Sequence, residues 1–206
     1  MEKKRRNKDQ GYLFVVGGPG GSGSTVISEM LAKHFKLRRV YGGALFRRAI
    51  REKGYEKIED FYTDFNEEEL LKLDMEVDRR LLEESKEKDV LIESKIFSGI
   101  LHIKNIPCTV SIWLDASLHT RALRHLNREK KEWSFLERIV EYFRIRRNLR
   151  KRWNLDRKRY ARLYGVDYAK PKLYNSIVID SSKINEEETF NLILKMLKDG
   201  RYLEEK

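Results

Sequence analysis

A chain of 206 residues has room for one α/β domain with a mobile insert and little for two independent cores. Its 40% hydrophobic residues exclude global disorder, while 37% charged residues and a net charge of +11 predict an unusually ionic surface. The longest apolar runs, 12–16 and 106–114, fall far short of the roughly 20 residues of a bilayer-spanning helix, so no membrane partner is expected. A basic tail over residues 1–11 without a hydrophobic signal core predicts a solvated start and a cytoplasmic chain. The single cysteine, Cys108, excludes an internal disulfide and a cysteine-built metal cage, in keeping with a reducing compartment.

Residues 12–16 form a continuous apolar run closed by glycines, the pattern of a buried parallel strand entering a glycine loop. Val26, Ile27, Met30, Leu31 and Phe35 then recur at helical spacing over Ser24–Phe35. Residues 37–41 read as a second strand, 44–53 as a helix, and 66–87 as one long acidic amphipathic helix. Two more apolar strands, 89–93 and 109–115, each end on an acid. A helix over 118–127, a long basic helix or helix pair over Phe135–Tyr164, and a strand over 176–180 follow. A closing helix takes its apolar face from Phe190, Leu192, Ile193, Leu194 and Leu197. Strands alternating with helices predict a three-layer α/β fold, a parallel sheet covered by helices on both faces. Between residues 144 and 162 ten Lys or Arg residues meet one acid, Asp156, a local excess of +9 that points to nucleic acid or to a phosphate-rich small ligand.

Gly18, Gly20, Gly21, Ser22, Gly23, Ser24 and Thr25 have the spacing of a phosphate-binding loop, in which glycines let backbone N–H groups and a helix N-terminus face phosphates. The usual pattern is G-x-x-x-x-G-K-[ST], and here Ser24 stands where the lysine belongs. Thr25 keeps the position whose hydroxyl binds Mg²⁺. Glu93, closing an apolar strand, is the second metal candidate. The bland alternatives are a ligand-free glycine turn and a solvated strand-end acid. Asp115 reads as a cap for the helix beginning near Leu118. His34, His102, His119 and His125 lack metal-ligand spacing and read as surface or packing residues, and Trp133 and Trp153 as packing.

Several stretches together resemble the cytidylate kinases, P-loop nucleoside monophosphate kinases. After the phosphate loop, residues 41–47 resemble the family's Ser-Gly-x-x-[Tyr/Phe]-Arg segment, with Gly42 replacing the serine and Arg47 at the arginine that grips the acceptor phosphate. Residues 91–95 resemble its apolar run ending acid-Gly-Arg, with Lys95 for the arginine. Late in the chain, 114–117 with Arg121 and Arg124, then Arg152, Asp156 and Arg159, then 178–182, follow the family's order. Helical spacing puts Arg152, Asp156 and Arg159 on one face.

The resemblance implies ATP and Mg²⁺ as cofactors, CMP or dCMP as acceptor, a nucleotide-binding helical region over 43–87, a LID over 127–166 and a protein working as a single copy. It also implies that Arg152, Arg159, Lys95, Arg121 and Arg124 assist transfer, Lys95 or the Arg121 and Arg124 pair replacing the missing lysine charge. Acceptor-base contacts are expected within 53–80, with Asp78, Arg79 and Arg80 as candidates. The segment 138–151 is longer than the family usually has. Two rivals stand beside this reading. One is a P-loop protein that has lost transfer and binds RNA or a protein partner through its basic helix, which Ser24 and the +9 segment favour. The other is a kinase of a different small acceptor, such as shikimate.

Overall fold

The computed structural model describes residues 6–55, 67–129 and 132–203. Residues 1–5 of the expected tail, 56–66 of the acceptor region and 130–131 of the expected LID lie outside the described residues. Five strands, β1 (Leu13–Gly17), β2 (Arg38–Tyr41), β3 (Val90–Glu93), β4 (Val110–Asp115) and β5 (Ile177–Asp180), form one sheet in the order β2-β3-β1-β4-β5. Every pairing is parallel. Around it run α1 (Ser24–Phe35), α2 (Gly42–Glu52), α3 (Glu67–Glu84), α4 (Phe97–Ile103), α5 (Leu118–Arg128), α6 (Phe135–Tyr164) and α7 (Glu186–Asp199).

Alternation along the strands divides the core between the two faces of the sheet. Leu13 and Val15 pack with Val77 and Leu81 of α3 and Phe97 and Ile100 of α4. Phe14 and Val16 pack with Ile27 and Leu31 of α1 and Ile193 and Leu197 of α7. Full burial of each such side chain contributes about 1.5–3 kcal/mol, and this two-sided demand is why the central strands read as unbroken apolar runs. Among the described residues no helix is long and apolar enough to cross a membrane.

Three local expectations change. The short helix α4 goes unpredicted from sequence. The cap of α5 is Ser117, whose hydroxyl accepts from the Thr120 N–H at 3.1 Å. Asp115 instead accepts from the Ala116 N–H at 2.8 Å, because it ends β4 two residues ahead of the cap position. Within the expected solvated tail, Arg6 is fixed: its guanidinium donates to the carbonyls of Ser85 and Glu87 at 2.7 Å, satisfying backbone groups just past α3. The basic segment forms one continuous helix, α6, opened by a capping box of Ser134 and Glu137 and closed by Gly165 at φ 64°.

Candidate active site

The strand order sets the C-terminal ends of β1 and β3 side by side, with Val16 in register with Glu93. β1 runs straight into the glycine loop. A Cβ at Gly18 would collide with the Leu114 carbonyl oxygen and the Ser22 hydroxyl, and Gly23 precedes α1 at φ 97°. Both positions therefore require glycine. No side chain caps α1, so its first N–H groups are available to phosphate oxygens.

Glu93 is buried and gathers donors from two elements. Its Oε1 accepts the Thr25 hydroxyl at 2.7 Å and its Oε2 the Ser28 hydroxyl at 2.8 Å. Arg39 of β2 adds an ion pair to the same Oε2, donates from Nε to Ser28 Oγ at 2.8 Å, and approaches Glu29 at 3.2 Å. Arg39 is a site residue that sequence inspection misses. Thr25 and Glu93 present hard oxygen ligands suited to Mg²⁺, which keeps water and phosphate for most of its shell. No cluster of three His, Cys, Asp or Glu among the described residues could hold a metal unaided.

A cavity of about 280 Å³ brings together Gly18, Gly20, Gly21, Gly23, Ser24, Thr25, Gly42, Arg47, Glu93, Lys95, Arg152 and Arg159 from the sequence-derived set. Asp78, a candidate base contact, lines it too, and Asp74, His125 and Arg128 join them. His125, read from sequence as a surface or packing residue, lies beside the loop: a Cβ at Gly21 would come within 3.0 Å of its ring. Tyr41 is flanked by two guanidinium groups, those of Arg39 at 5.2 Å and Arg47 at 5.0 Å from its ring centre.

Asp156 sits at the centre of a buried ionic cluster. Lys95 Nζ donates to its Oδ2 at 2.6 Å and Arg159 Nη2 to its Oδ1 at 2.9 Å. Arg159 also forms an ion pair with Asp74 at 3.0 Å. Burial alone would raise the Asp156 carboxyl, but Lys95 and Arg159 overcome it and leave it below its ordinary value. Burial lowers Lys95 to about 8 against the pull of Asp156. Burial also pushes Asp74 up to about 7 and Asp78 up to about 6, despite Arg159 beside the first and the Tyr164 hydroxyl donating to the second at 2.6 Å.

Six sequence candidates do not line the cavity: Ser22, Arg79, Arg80, Arg121, Arg124 and Asp156. Arg80 pairs with Glu76 at 2.6 Å along α3 and is not among the lining residues. Arg121 donates to the Gly20 carbonyl at 2.8 Å, and Arg124 to the carbonyls of Ser22 at 3.0 Å and Ser181 at 2.7 Å. Both arginines brace the loop through its backbone and neither lines the cavity. The cations that do line it are Arg47, Lys95, Arg128, Arg152 and Arg159.

The raised aspartates have a measurable consequence. Between about pH 4, where unfolded aspartate titrates, and about 6 to 7, the folded chain binds protons that the unfolded chain has released. Their contribution to stability is therefore present at the acid end and lost as pH rises through those values. His125, held low chiefly by burial, acts with opposite sign below about 6.5. Lys95 acts only from about 8 upward. In urea titrations at pH 5 and pH 8, wild type is expected to lose on the order of 1 kcal/mol or more relative to Asp74→Asn as pH rises. Equal slopes in the two proteins would place the titration elsewhere.

The AAA domain family matches residues 16–134. The chain is 33% identical over 187 residues to the cytidylate kinase of Methanopyrus kandleri, covering 88% of this chain and 90% of that protein. It is 35% identical over 185 residues to the cytidylate kinase of Pyrococcus horikoshii, covering 88% and 85%. Among solved structures, a shikimate kinase from Bacteroides thetaiotaomicron superimposes with a TM-score of 0.60 at 12% identity, over 93% of this chain and 99% of that one, a likeness of fold.

Proposed function

Because this chain belongs to the cytidylate kinase family of P-loop nucleoside monophosphate kinases, we propose that it transfers the γ-phosphoryl group of Mg-ATP to CMP or dCMP. The observation that carries this reading is the single cavity shared by the glycine loop, the Thr25 and Glu93 pair, five cations and two buried aspartates. Phosphoryl transfer of this kind needs alignment and charge stabilisation rather than a covalent intermediate. The N–H groups of the loop and of the first turn of α1 hold the donor phosphates. Thr25 and Glu93 would hold Mg²⁺, which when bound would neutralise negative charge on the phosphates.

On the acceptor side, Arg47 grips the monophosphate, with Tyr41 stacked against its guanidinium to fix its direction. Arg152 and Arg159 reach the phosphates from α6. Asp156 acts as the anchor that orients Lys95 and Arg159. Lys95 supplies the charge that Ser24 lacks. The α6 region serves as the LID that excludes water while these cations converge.

Asp74 and Asp78 give the site a preference among bases. Their carboxyl oxygens can accept from the exocyclic amine of cytosine, whereas uracil offers a carbonyl at that position and would leave them facing another acceptor. Sites built around such a hydrogen bond discriminate strongly against the analogue that lacks it. In an assay of ADP release with Mg-ATP against CMP, dCMP, UMP, AMP and GMP, the two cytidylates are expected to react fastest. UMP should fall behind by about tenfold or more, and Asp78→Asn should narrow the ratio of CMP to UMP. Faster turnover of AMP or GMP would refute the acceptor assignment, and no transfer to any of the five would refute the activity.

A further inference from the structure

One apolar surface lies outside the cavity. On the first turns of α6, Phe135 is 77% exposed, Leu136 72%, Val140 68%, Phe143 58% and Ile139 39%. They recur at the spacing of one helical face. Another side of the helix is already occupied, Ile145 and Leu149 packing with Ala122 and Leu126 of α5. Arg152, which lines the cavity, stands nine residues beyond Phe143, about two and a half turns, and so projects from the opposite side of the helix. Closure over nucleotides therefore leaves the apolar face bare. Five such side chains present on the order of 500 Å², the size of the largest apolar patch on a typical protein surface, which is often an interaction site.

Charge decides what covers it. Residues 135–143 carry Glu137 and Glu141 against Arg138, a net charge of −1, whereas residues 144–162 carry +9. The apolar stretch itself thus lacks the positive charge that an anionic lipid surface or a nucleic acid would require. A second copy laid parallel would set the two +9 segments side by side. Laid antiparallel about a two-fold axis near Val140, it brings apolar face against apolar face and sends the basic halves away in opposite directions. The two faces together come to about 1,000 Å², where specific interfaces begin.

We propose that this chain forms a homodimer through the N-terminal half of α6, the two helices antiparallel. The contact is isologous, so each residue meets its symmetry mate's environment and closure is complete at two copies. This goes beyond the kinase reading and replaces the single copy expected from sequence.

Sedimentation of the full chain across a wide dilution series is expected to give twice the mass of one chain, with dissociation only at the dilute end. Phe143→Asp and Leu136→Lys, both at exposed positions, should each return single chains that keep the wild-type melting curve measured at the dilute end. In a Cys108→Ser background, Val140→Cys should cross-link in oxidised glutathione because the two-fold axis sets it near its own copy. Arg157→Cys should not, since about 25 Å of helix separates it from that axis. A wild type that stays single at every concentration overturns the proposal. So does cross-linking through Arg157→Cys as readily as through Val140→Cys, which means parallel helices in register. Phe143-dependent binding of single chains to phosphatidylserine vesicles or to single-stranded RNA would reassign the face to those partners.

Discussion

Replacing Lys95 by alanine is expected to lower kcat/KM for phosphoryl transfer at least about a hundredfold. Lys95 lines the cavity and its Nζ is fixed at 2.6 Å from Asp156, itself tied to Arg159. A cation about 4 Å from a phosphate interacts by roughly 4 kcal/mol at an effective dielectric near 20. With Ser24 at the usual lysine position, the loop contributes no side-chain charge of its own. Ser24→Lys should therefore change transfer by less than about tenfold if Lys95 supplies that charge, as proposed. Arg159 still pairs with Asp156 in the Lys95→Ala protein, so urea unfolding should show folding retained while turnover is lost. Lys95→Arg, which keeps charge and a donor, should recover part of the rate. A Lys95→Ala enzyme near wild type beside a Ser24→Lys enzyme that gains strongly would mean the lost lysine has no replacement.

Legibility in the sequence follows the range of the interactions involved. The strands at β1, β3 and β4 are buried on both faces, so their apolar runs are local and visible. The glycine loop is visible because its backbone geometry permits few other residues. Helix α4 is not, for seven residues that include Gly99 and are buried on most sides show neither strong propensity nor an apolar stripe. Packing holds it, with Val166 filling the space where a Cβ at Gly99 would sit.

The same distinction divides the site. Arg152, Asp156 and Arg159 share a face because helical spacing alone sets it. Arg39 is different: two arginines stand together on β2, Arg38 paired with Glu84 and Arg39 with Glu93, and only strand alternation against α1 decides which one turns inward. Asp78 is legible only as one of three neighbouring base-contact candidates, and Asp74 looks like a member of an acidic surface helix until α6 is laid over them. Arg121 and Arg124 carry the charge and position expected of phosphate ligands. Their geometry sends that charge to loop carbonyls that no sequence pattern marks.

Glu93→Gln is the second change expected to be severe, and Arg39 explains why. The Glu93 carboxylate accepts from Thr25, Ser28 and Arg39 at once, so every neighbour in contact with it is a donor. An amide there puts an NH₂ group against those donors and removes the charge that draws a divalent cation to Thr25. Loss of about a hundredfold or more in kcat/KM is expected, with half-saturation by Mg²⁺ moved to higher concentration. Arg39→Gln should move half-saturation the other way, because in the proposed site the guanidinium would compete with the metal for one carboxylate. It should also lower stability by up to about 3–5 kcal/mol, since Glu93 would be buried without its counter-ion. Titrating Mg²⁺ at fixed ATP in both variants, beside their urea unfolding curves, separates the two effects. If the variants shift in the same direction, Glu93 holds no metal, and the four residues Thr25, Ser28, Arg39 and Glu93 form a brace between α1 and the sheet.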